Sequence, residues 1–248
     1  MKDVVNHLDL FSGIGGFALA AQRIWKDKLN IVGFCEIEPY AQKVLNKNFP
    51  NVPIYSDIKE LNGRQFKDID IITGGFPCQD ISIAGYGAGI EGERSGLWSE
   101  MFRIISEIRP KFAIIENVSA ITFRGGTRVV SDLAQIRYTT EWQTISAAYV
   151  GALHRRNRMW FVSYPSDSRP KYTKHGKGQQ DIKQSEMVRQ CEGSVFSNKR
   201  EFREEIRTTE FVRKSNGIPN RMDRIKGLGN AIVPQVAEII MKKIKNQL

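Results

Sequence analysis

Short apolar runs alternate with amphipathic segments along the first two thirds of the chain. Runs rich in branched aliphatic and aromatic residues, typical of buried strands, occur at residues 4–10, 31–35, 69–73 and 112–115. Apolar residues at helical spacing follow them at residues 18–25, 40–48 and 99–108. This alternation predicts an α/β fold, with a mainly parallel sheet that carries helices on both faces.

The pattern changes around Pro165. Two runs just before it, 143–148 and 159–163, are predicted to pair as a hairpin. Residues 166–197 hold few large apolar side chains and many Ser, Lys, Gln and Gly, a composition typical of loops or of a poorly ordered segment. Residues 198–214 combine dense charge with enough apolar residues for a helix or a few short strands.

The end of the chain regains globular character from Arg221 onward. Residues 236–245 place apolar side chains along one helical face and finish in lysines, which predicts an amphipathic helix with a basic end. The composition therefore separates a large first part from a small polar region, followed by a last helix.

The overall charge is strongly positive. The 248 residues carry a formal net charge of +10, and the sequence pI is about 9.6. This balance favours a polyanionic partner such as nucleic acid, although a basic surface can also serve solubility alone. The N-terminus shows no secretory pattern, and no apolar run approaches the roughly 20 residues that cross a bilayer. We therefore expect a soluble protein without a membrane partner.

The cysteines exclude two kinds of structural site. The chain has three, Cys35, Cys78 and Cys191, an odd number at wide spacing. Neither a disulfide framework nor a zinc site with paired cysteines fits this spacing, so we expect no bound metal. A reducing cytoplasm is the natural setting for such a chain.

The run Gly-Gly-Phe-Pro-Cys-Gln-Asp at residues 74–80 has the most distinctive chemistry in the sequence. It follows the predicted strand 69–73, so Cys78 lies on a loop past the carboxyl end of a strand, where open α/β sheets bind ligands. Pro77 restricts the backbone, and the two glycines permit a close approach to a substrate. A lone cysteine is more often a small buried hydrophobe, but the polar residues after this one favour exposure and a nucleophilic role.

Three further segments complete a series. Residues 8–17 predict a strand that enters a glycine turn and then a helix, residues 112–118 predict a strand with an acid near its end, and residues 227–235 contain a Gly-Leu-Gly-Asn run. In this order, with the basic run 154–158 between the last two, the segments resemble the motif series of the DNA cytosine-5 methyltransferases. The resemblance covers the chain apart from approximately residues 166–216.

This resemblance implies a Rossmann-like sheet of the S-adenosylmethionine-dependent methyltransferases, with helices on both faces and a small, reduced target-recognition segment. Residues 1–165 would form the catalytic and cofactor-binding domain. Residues 222–248 would complete that domain, because the last helix packs back onto it. Residues 166–221 would form the target-recognition region.

S-adenosylmethionine is the cofactor that the resemblance implies. The turn after the first strand would line its methionine part, Glu36 would accept the ribose hydroxyls, and Asp57 would contact the adenine amino group. The cofactor-binding residues implied in this way are Phe11, Ser12, Gly13, Ile14, Gly15, Glu36, Ile37, Asp57, Ile58, Gly75, Pro77, Leu97, Asn230 and Ala231.

Plainer explanations of several of these residues stay open. The glycine run lacks the spacing of a dinucleotide site and could be a tight structural turn. Glu36 could be a solvated glutamate, with Glu38 as its rival for the ribose. Asp57 could cap a local turn, and Asn230 could cap the helix that follows it.

The resemblance assigns catalysis to Cys78, Glu116, Arg156 and Arg158. Addition of the Cys78 thiolate to C6 of cytosine would make C5 nucleophilic, which divides one difficult step into two easier ones. Glu116, at least partly protonated, would hydrogen-bond N3 and the exocyclic amine. Arg156 would lie near O2 of the base and stabilise the developing charge.

This chemistry requires the cytosine to leave the duplex, because its reactive atoms are stacked inside the helix. The glycine-rich segment 82–89 would close over the DNA. The many lysines and arginines between residues 166 and 221 could contact phosphates, but their pattern does not indicate which bases would be recognised. The residues implied to contact DNA are Gln79, Ser82, Arg94, Lys199, Arg200 and Arg203.

The match weakens in the recognition region. Only residues 166–220 separate the basic motif's strand from Arg221, which is short for a target-recognition domain. His154 stands where the family commonly has glutamine, and the form of residues 218–224 is associated with phage and prophage enzymes. These departures bear on sequence specificity and on activity toward DNA more than on the chemistry.

Two other functions stay open. An RNA cytosine-5 methyltransferase of the tRNA-modifying branch would share the catalytic motifs, but its Cys-Phe-Thr tripeptide is absent, since Glu192 follows Cys191. A decayed phage protein could bind DNA or cofactor without turnover, although the catalytic residues are intact. For an active enzyme we expect a cytoplasmic monomer, bacterial or phage-encoded, with duplex DNA as partner and a cognate restriction endonuclease as a further candidate partner.

Overall fold

The computed structural model describes residues 3–77, 96–152, 156–168 and 229–248. Within these residues seven strands form one sheet in the order β3-β2-β1-β4-β5-β7-β6. The strands are β1 (Val5–Leu10), β2 (Leu29–Cys35), β3 (Ile54–Tyr55), β4 (Ile71–Gly74), β5 (Phe112–Val118), β6 (Tyr138–Ser146) and β7 (Asn157–Pro165). Strands β1 to β5 pair in parallel, whereas β7 pairs antiparallel with both β5 and β6.

The strand order reverses direction beside β1. The chain runs outward from β1 through β2 to β3 and then returns to β4 on the other side of β1. Leu10 at the end of β1 is paired with Cys35 on one side and with Gly74 on the other. The loops that follow these three strands therefore meet at one edge of the sheet, the position where open α/β sheets bind ligands.

Helices cover both faces of the sheet, and successive residues of β5 alternate between them. Phe112 and Ile114 pack in one core cluster, whereas Ala113 and Ile115 pack in another. The helices are α1 (Gly16–Trp25), α2 (Pro39–Asn48), α3 (Gly96–Ile108), α4 (Ile121–Arg124), α5 (Gly126–Gln135) and α6 (Pro234–Lys245). The first cluster includes residues of α1 and α6, and the second includes residues of α3 and α5. The predicted Rossmann-like fold class is confirmed.

The last helix packs against the first. Lys245 Nζ donates to the carbonyl of Ile24 at 2.8 Å, and Arg23 Nη1 lies 2.7 Å from Glu238 Oε1. Apolar residues of both helices share one buried cluster. The division into domains stays a prediction, because most of residues 166–221 lie outside the described part of the chain.

The strands and helices predicted within the described residues are present, with ends displaced by a few residues. The helix or short strands predicted within residues 198–214 lie outside the described part of the chain. The runs 143–148 and 159–163 fall largely in β6 and β7, so the predicted hairpin is confirmed. The pattern did not predict β3, α4 or α5. Among the described residues, no helix is both long enough and apolar enough to cross a bilayer.

Candidate active site

A cleft of about 660 Å³ opens at the carboxyl edge of the sheet. Most residues that the sequence proposed for the cofactor and for catalysis line it, whereas Ser12, Gly15 and Ala231 do not. The predicted residues that line the cleft are Phe11, Gly13, Ile14, Glu36, Ile37, Asp57, Ile58, Gly75, Pro77, Leu97, Glu116, Arg156, Arg158 and Asn230.

The turn after β1 forms the first wall of the cleft. Phe11, Gly13 and Gly15 have φ values of +51°, +54° and +87°. A left-handed conformation is unusual for an aromatic residue, so the surrounding contacts must hold Phe11 there. Ser12 fixes the turn from below, because its Oγ donates to the Asp9 carbonyl at 2.7 Å.

Gly15 serves packing as well as the turn. A Cβ added to it would lie 3.0 Å from the side chains of Leu45 and Phe49. The absence of a side chain at Gly15 therefore allows the turn to approach α2 closely. Gly15 does not line the cleft, although the sequence analysis assigned it to cofactor binding.

A buried polar chain supports this turn from inside the sheet. Thr73 Oγ1 donates to Asp9 Oδ1 at 2.6 Å and lies 2.7 Å from His7 Nε2. Burial raises the pKa of Asp9. The hydrogen bond from Thr73 lowers this pKa, and the nearby charge of Glu36 raises it further. Burial lowers the pKa of His7 to about 3. The side chains of His7, Thr73 and Asp9 therefore link β1 and β4 beneath the cleft, a role that the sequence pattern did not suggest.

Glu36 connects the end of β2 to the glycine turn. Its carboxylate is 8% exposed, and it accepts the backbone N–H of Gly13 at 2.6 Å through Oε2 and that of Glu38 at 2.9 Å through Oε1. Each carboxylate oxygen can accept a further hydrogen bond. Ile37 beside it is 66% exposed and offers an apolar surface within the cleft.

Asp57 combines the two roles that the sequence left open. Its Oδ1 accepts the backbone N–H of Lys59 at 2.9 Å, so it caps a local turn, and it also lines the cleft. Ile58 is 3% exposed and belongs to the core cluster beneath the cleft. The alternative role for Asn230 as a helix cap is wrong, because α6 begins after Val233 and has no side-chain cap.

Glu116 lies near the end of β5 and is 7% exposed. Burial raises its pKa to about 7, although the charges of Arg158 and Arg156 lower it. Arg158 Nε lies 2.8 Å from Glu116 Oε1. The antiparallel register explains this pair, since Arg158 lies opposite Val118, two residues along the same face from Glu116.

Arg156 makes a different contact. Its Nη2 donates to the carbonyls of Gly229 and of Ala231, the latter at 2.8 Å. Burial lowers the pKa of Arg156, the Arg158 charge lowers it further, and the charge of Glu116 opposes both. Arg156 therefore links the hairpin to the C-terminal segment that forms one side of the cleft. Its Nε is buried without a hydrogen-bond partner in the described part of the chain.

The loop that leads to Cys78 is held against the end of β5 at Gly75 and Phe76. Asn117 Nδ2 donates to the Phe76 carbonyl at 2.8 Å, and a Cβ at Gly75 would lie 3.2 Å from Glu116 Oε2. Asn117 is thus a positioning residue for this loop. Its place directly after Glu116 in the strand was the available signal, but the partner carbonyl could not be identified from the sequence.

Several predicted residues lie outside the described part of the chain. They comprise the nucleophile and the residues proposed to contact DNA: Cys78, Gln79, Ser82, Arg94, Lys199, Arg200 and Arg203. Cys35 does line the cleft, but burial raises the pKa of its thiol to about 12. It is protonated at neutral pH and is therefore a poor nucleophile.

The comparison with known proteins identifies the family. A family model described as C-5 cytosine-specific DNA methylase matches residues 5–222. The chain belongs to this family. A type II methyltransferase of Bacillus subtilis, M2.BsuMI, is 38% identical over 160 residues, which cover 61% of this chain and 40% of that protein. M.HhaI, a type II methyltransferase of Haemophilus parahaemolyticus, is 33% identical over 164 residues, 64% of this chain and 49% of that protein.

A solved structure agrees with this assignment. A protein encoded in an Escherichia coli prophage and assigned as a DNA modification methyltransferase aligns with a TM-score of 0.54 and 27% identity. The alignment covers 66% of this chain and 47% of that protein. The chain therefore spans about half the length of the relatives that it matches, or less.

Proposed function

We propose that the protein transfers a methyl group from S-adenosylmethionine to C5 of cytosine in duplex DNA, through a covalent adduct of Cys78 at C6. The observation that carries the proposal is Glu116: a nearly buried carboxyl with a pKa of about 7, paired with Arg158 at 2.8 Å and packed against the loop that leads to Cys78. A group of this kind can hold or release a proton at neutral pH, as a base-binding acid must.

The cleft residues fit S-adenosylmethionine. The carboxylate of Glu36 is fixed by two backbone N–H groups and retains acceptor capacity for two ribose hydroxyls. Ile37 offers an exposed apolar surface for the adenine ring, and Asp57 lies on the same wall for the amino group. The turn at Phe11 and Gly13 would hold the methionine part. When bound, this cofactor supplies an electrophilic methyl group.

Glu116 would bind the flipped-out cytosine. In its protonated form it donates to N3, while its other oxygen accepts from the exocyclic amine. Both contacts favour the adduct, in which N3 gains electron density. Arg158 would keep the carboxyl in place, and Arg156, which also lines the cleft, is the residue we assign to O2 of the base.

Cys78 would begin the chemistry as a thiolate. Its sulfur forms a bond to C6, and the electrons of the C5–C6 double bond make C5 nucleophilic. Once C5 carries the methyl group, a base removes the C5 proton. The electrons of that C–H bond restore the double bond, the C6–S bond breaks, and the thiolate is regenerated.

The substrate side of the proposal rests on charge and on the relatives. A net charge of +10 suits a phosphate backbone. Lys199, Arg200 and Arg203 would bind phosphates, and Gln79, Ser82 and Arg94 would contact the DNA around the flipped base. We also propose that the enzyme acts as a monomer in a bacterial or phage-infected cytoplasm. A cognate endonuclease is a further proposed partner, since the matched relatives are type II methyltransferases.

Covalent trapping tests the proposal. Random-sequence duplexes with 5-fluorocytosine in place of cytosine should form a complex with the wild type and S-adenosylmethionine that survives denaturing electrophoresis, because fluorine cannot leave as a proton does. Cys78→Ser should give no such complex, and Cys191→Ser, which removes a different thiol, should still give it. Methylation of normal DNA without any trapped complex would contradict the mechanism.

A further inference from the structure

One arginine on α3 joins this helix to the segment after β3. Arg103 donates through Nη2 to the carbonyl of Ile58 and through Nη1 to that of Leu61, both at 2.9 Å. The same guanidinium lies 2.6 Å from a carboxylate oxygen of Glu100 and 3.3 Å from one of Glu107. Two carboxylates on its own helix therefore orient the fork toward the two carbonyls.

The segment after β3 is fitted closely to α3. The backbone N–H of Gly63 donates to Glu107 Oε2 at 2.8 Å, and a Cβ at Gly63 would lie 2.6 Å from that oxygen. Ile58 and Leu61 are each 3% exposed and share a core cluster with Ile104 of α3. Apolar burial thus holds the segment against α3, and the arginine fork fixes the direction of its backbone.

Both partners of this contact reach the cleft. Asp57 and Ile58 line it from the segment after β3, and Leu97 lines it from the first turn of α3. The carbonyl of Ile58 that Arg103 binds belongs to one of these lining residues. Arg103 itself does not line the cleft. It can act on a bound molecule only through the backbone that it holds.

We propose that Arg103 is a positioning residue of the cofactor site, which holds Asp57 and Ile58 in the place where the adenine ring binds. This inference rests on the proposed function. It assigns part of the cofactor affinity to a residue that touches no part of the cofactor. The inference also gives a role to Glu100 and Glu107 of α3, which orient the Arg103 guanidinium.

The test uses the full chain and two substitutions. Arg103→Met keeps most of the side-chain volume and removes every donor, and Arg103→Lys keeps the charge but has no fork that can serve two carbonyls. The matched control is Arg128→Met on α5, where Arg128 Nε lies 3.4 Å from Asp132 in an i,i+4 ion pair. Calorimetry with S-adenosylhomocysteine measures cofactor affinity without turnover, and thermal unfolding reports whether each variant folds.

We expect the dissociation constant of S-adenosylhomocysteine to rise roughly tenfold in Arg103→Met and by about threefold in Arg103→Lys, because each variant loses charge-assisted hydrogen bonds. Turnover at saturating S-adenosylmethionine should stay within about twofold of the wild type while KM rises, because Arg103 does not act on the base. Arg128→Met should leave both quantities unchanged.

A double substitution separates this role from general stabilisation. If Arg103 acts through Asp57, then Arg103→Met should cost much less affinity in an Asp57→Ala background than in the wild type. Additive losses, or unchanged affinity in Arg103→Met and Arg103→Lys, would overturn the inference. If the wild type binds neither S-adenosylmethionine nor S-adenosylhomocysteine, the proposed function itself fails.

Discussion

Replacement of Glu116 by glutamine should change how the stability of the protein depends on pH. The carboxyl is 7% exposed, and burial raises its pKa to about 7, although Arg158 and Arg156 lower it. In the unfolded chain the same group has a pKa of about 4.5. The folded protein therefore holds this proton more tightly. The stabilisation is fully present below about pH 4.5 and is lost as the pH rises toward about 7.

The size of the effect follows from the two pKa values. Their separation corresponds to about 3 kcal/mol, at roughly 1.4 kcal/mol for each pH unit. Glutamine does not titrate, so the variant lacks this dependence. Between about pH 5 and pH 8, the free energy of unfolding of the wild type should fall relative to that of Glu116→Gln by about 2 to 3 kcal/mol.

Urea unfolding followed by tryptophan fluorescence at several pH values measures this difference. Comparison with the variant cancels the titration of other buried groups such as Asp9 and His7. Glu60→Gln, which removes an exposed carboxylate instead, is the matched control. If the free energies of unfolding of Glu116→Gln and the wild type differ by the same amount at every pH, the reasoning is refuted. The pKa of Glu116 would then be the same in the folded protein and in the unfolded chain.

Two further predictions concern ligand binding. Glu36→Ala should weaken S-adenosylhomocysteine at least about tenfold in calorimetry, because it removes the ribose acceptor and a support of the turn, while Glu38→Ala should change little; the reverse ranking would show that the ribose contact is assigned to the wrong glutamate. Neutralising Lys199, Arg200 and Arg203 together should weaken binding to all DNA sequences alike and make binding less dependent on salt. The slope of log affinity against log salt should become shallower by about 0.9 for each phosphate that these residues no longer neutralise. An unchanged slope with altered sequence preference would show that the trio binds bases.

The sequence predicted the elements that meet at the cleft, because each has a local signature. The apolar runs before the glycine turn, before Glu36 and before Glu116 define strands whose carboxyl ends share one edge of the sheet. The roles of Arg156 and Arg158 were harder to separate. They lie two residues apart, and only the antiparallel register with β5 places Arg158 beside Glu116 and leaves Arg156 to the C-terminal carbonyls.

Other features had no local signature. Helix α5 has few apolar residues besides the buried Val129 and Leu133, so its amphipathic pattern is short. It is held partly through tertiary contacts, since Trp98 Nε1 donates to Asp132 Oδ2 at 2.7 Å. The hydrogen bonds of Arg103 to backbone carbonyls join residues more than 40 positions apart. Such pairs become visible only when the fold is known.

The nature of the methylated product tests the central claim most directly. The protein is incubated with methyl-labelled S-adenosylmethionine and either random-sequence duplex DNA or tRNA, and the nucleic acid is digested to nucleosides for mass spectrometry. We predict labelled 5-methyldeoxycytidine from DNA, no labelled nucleoside from tRNA, and no label in either with Cys78→Ser. Label in tRNA alone, label at another atom of the base, or full activity in Cys78→Ser would contradict this account.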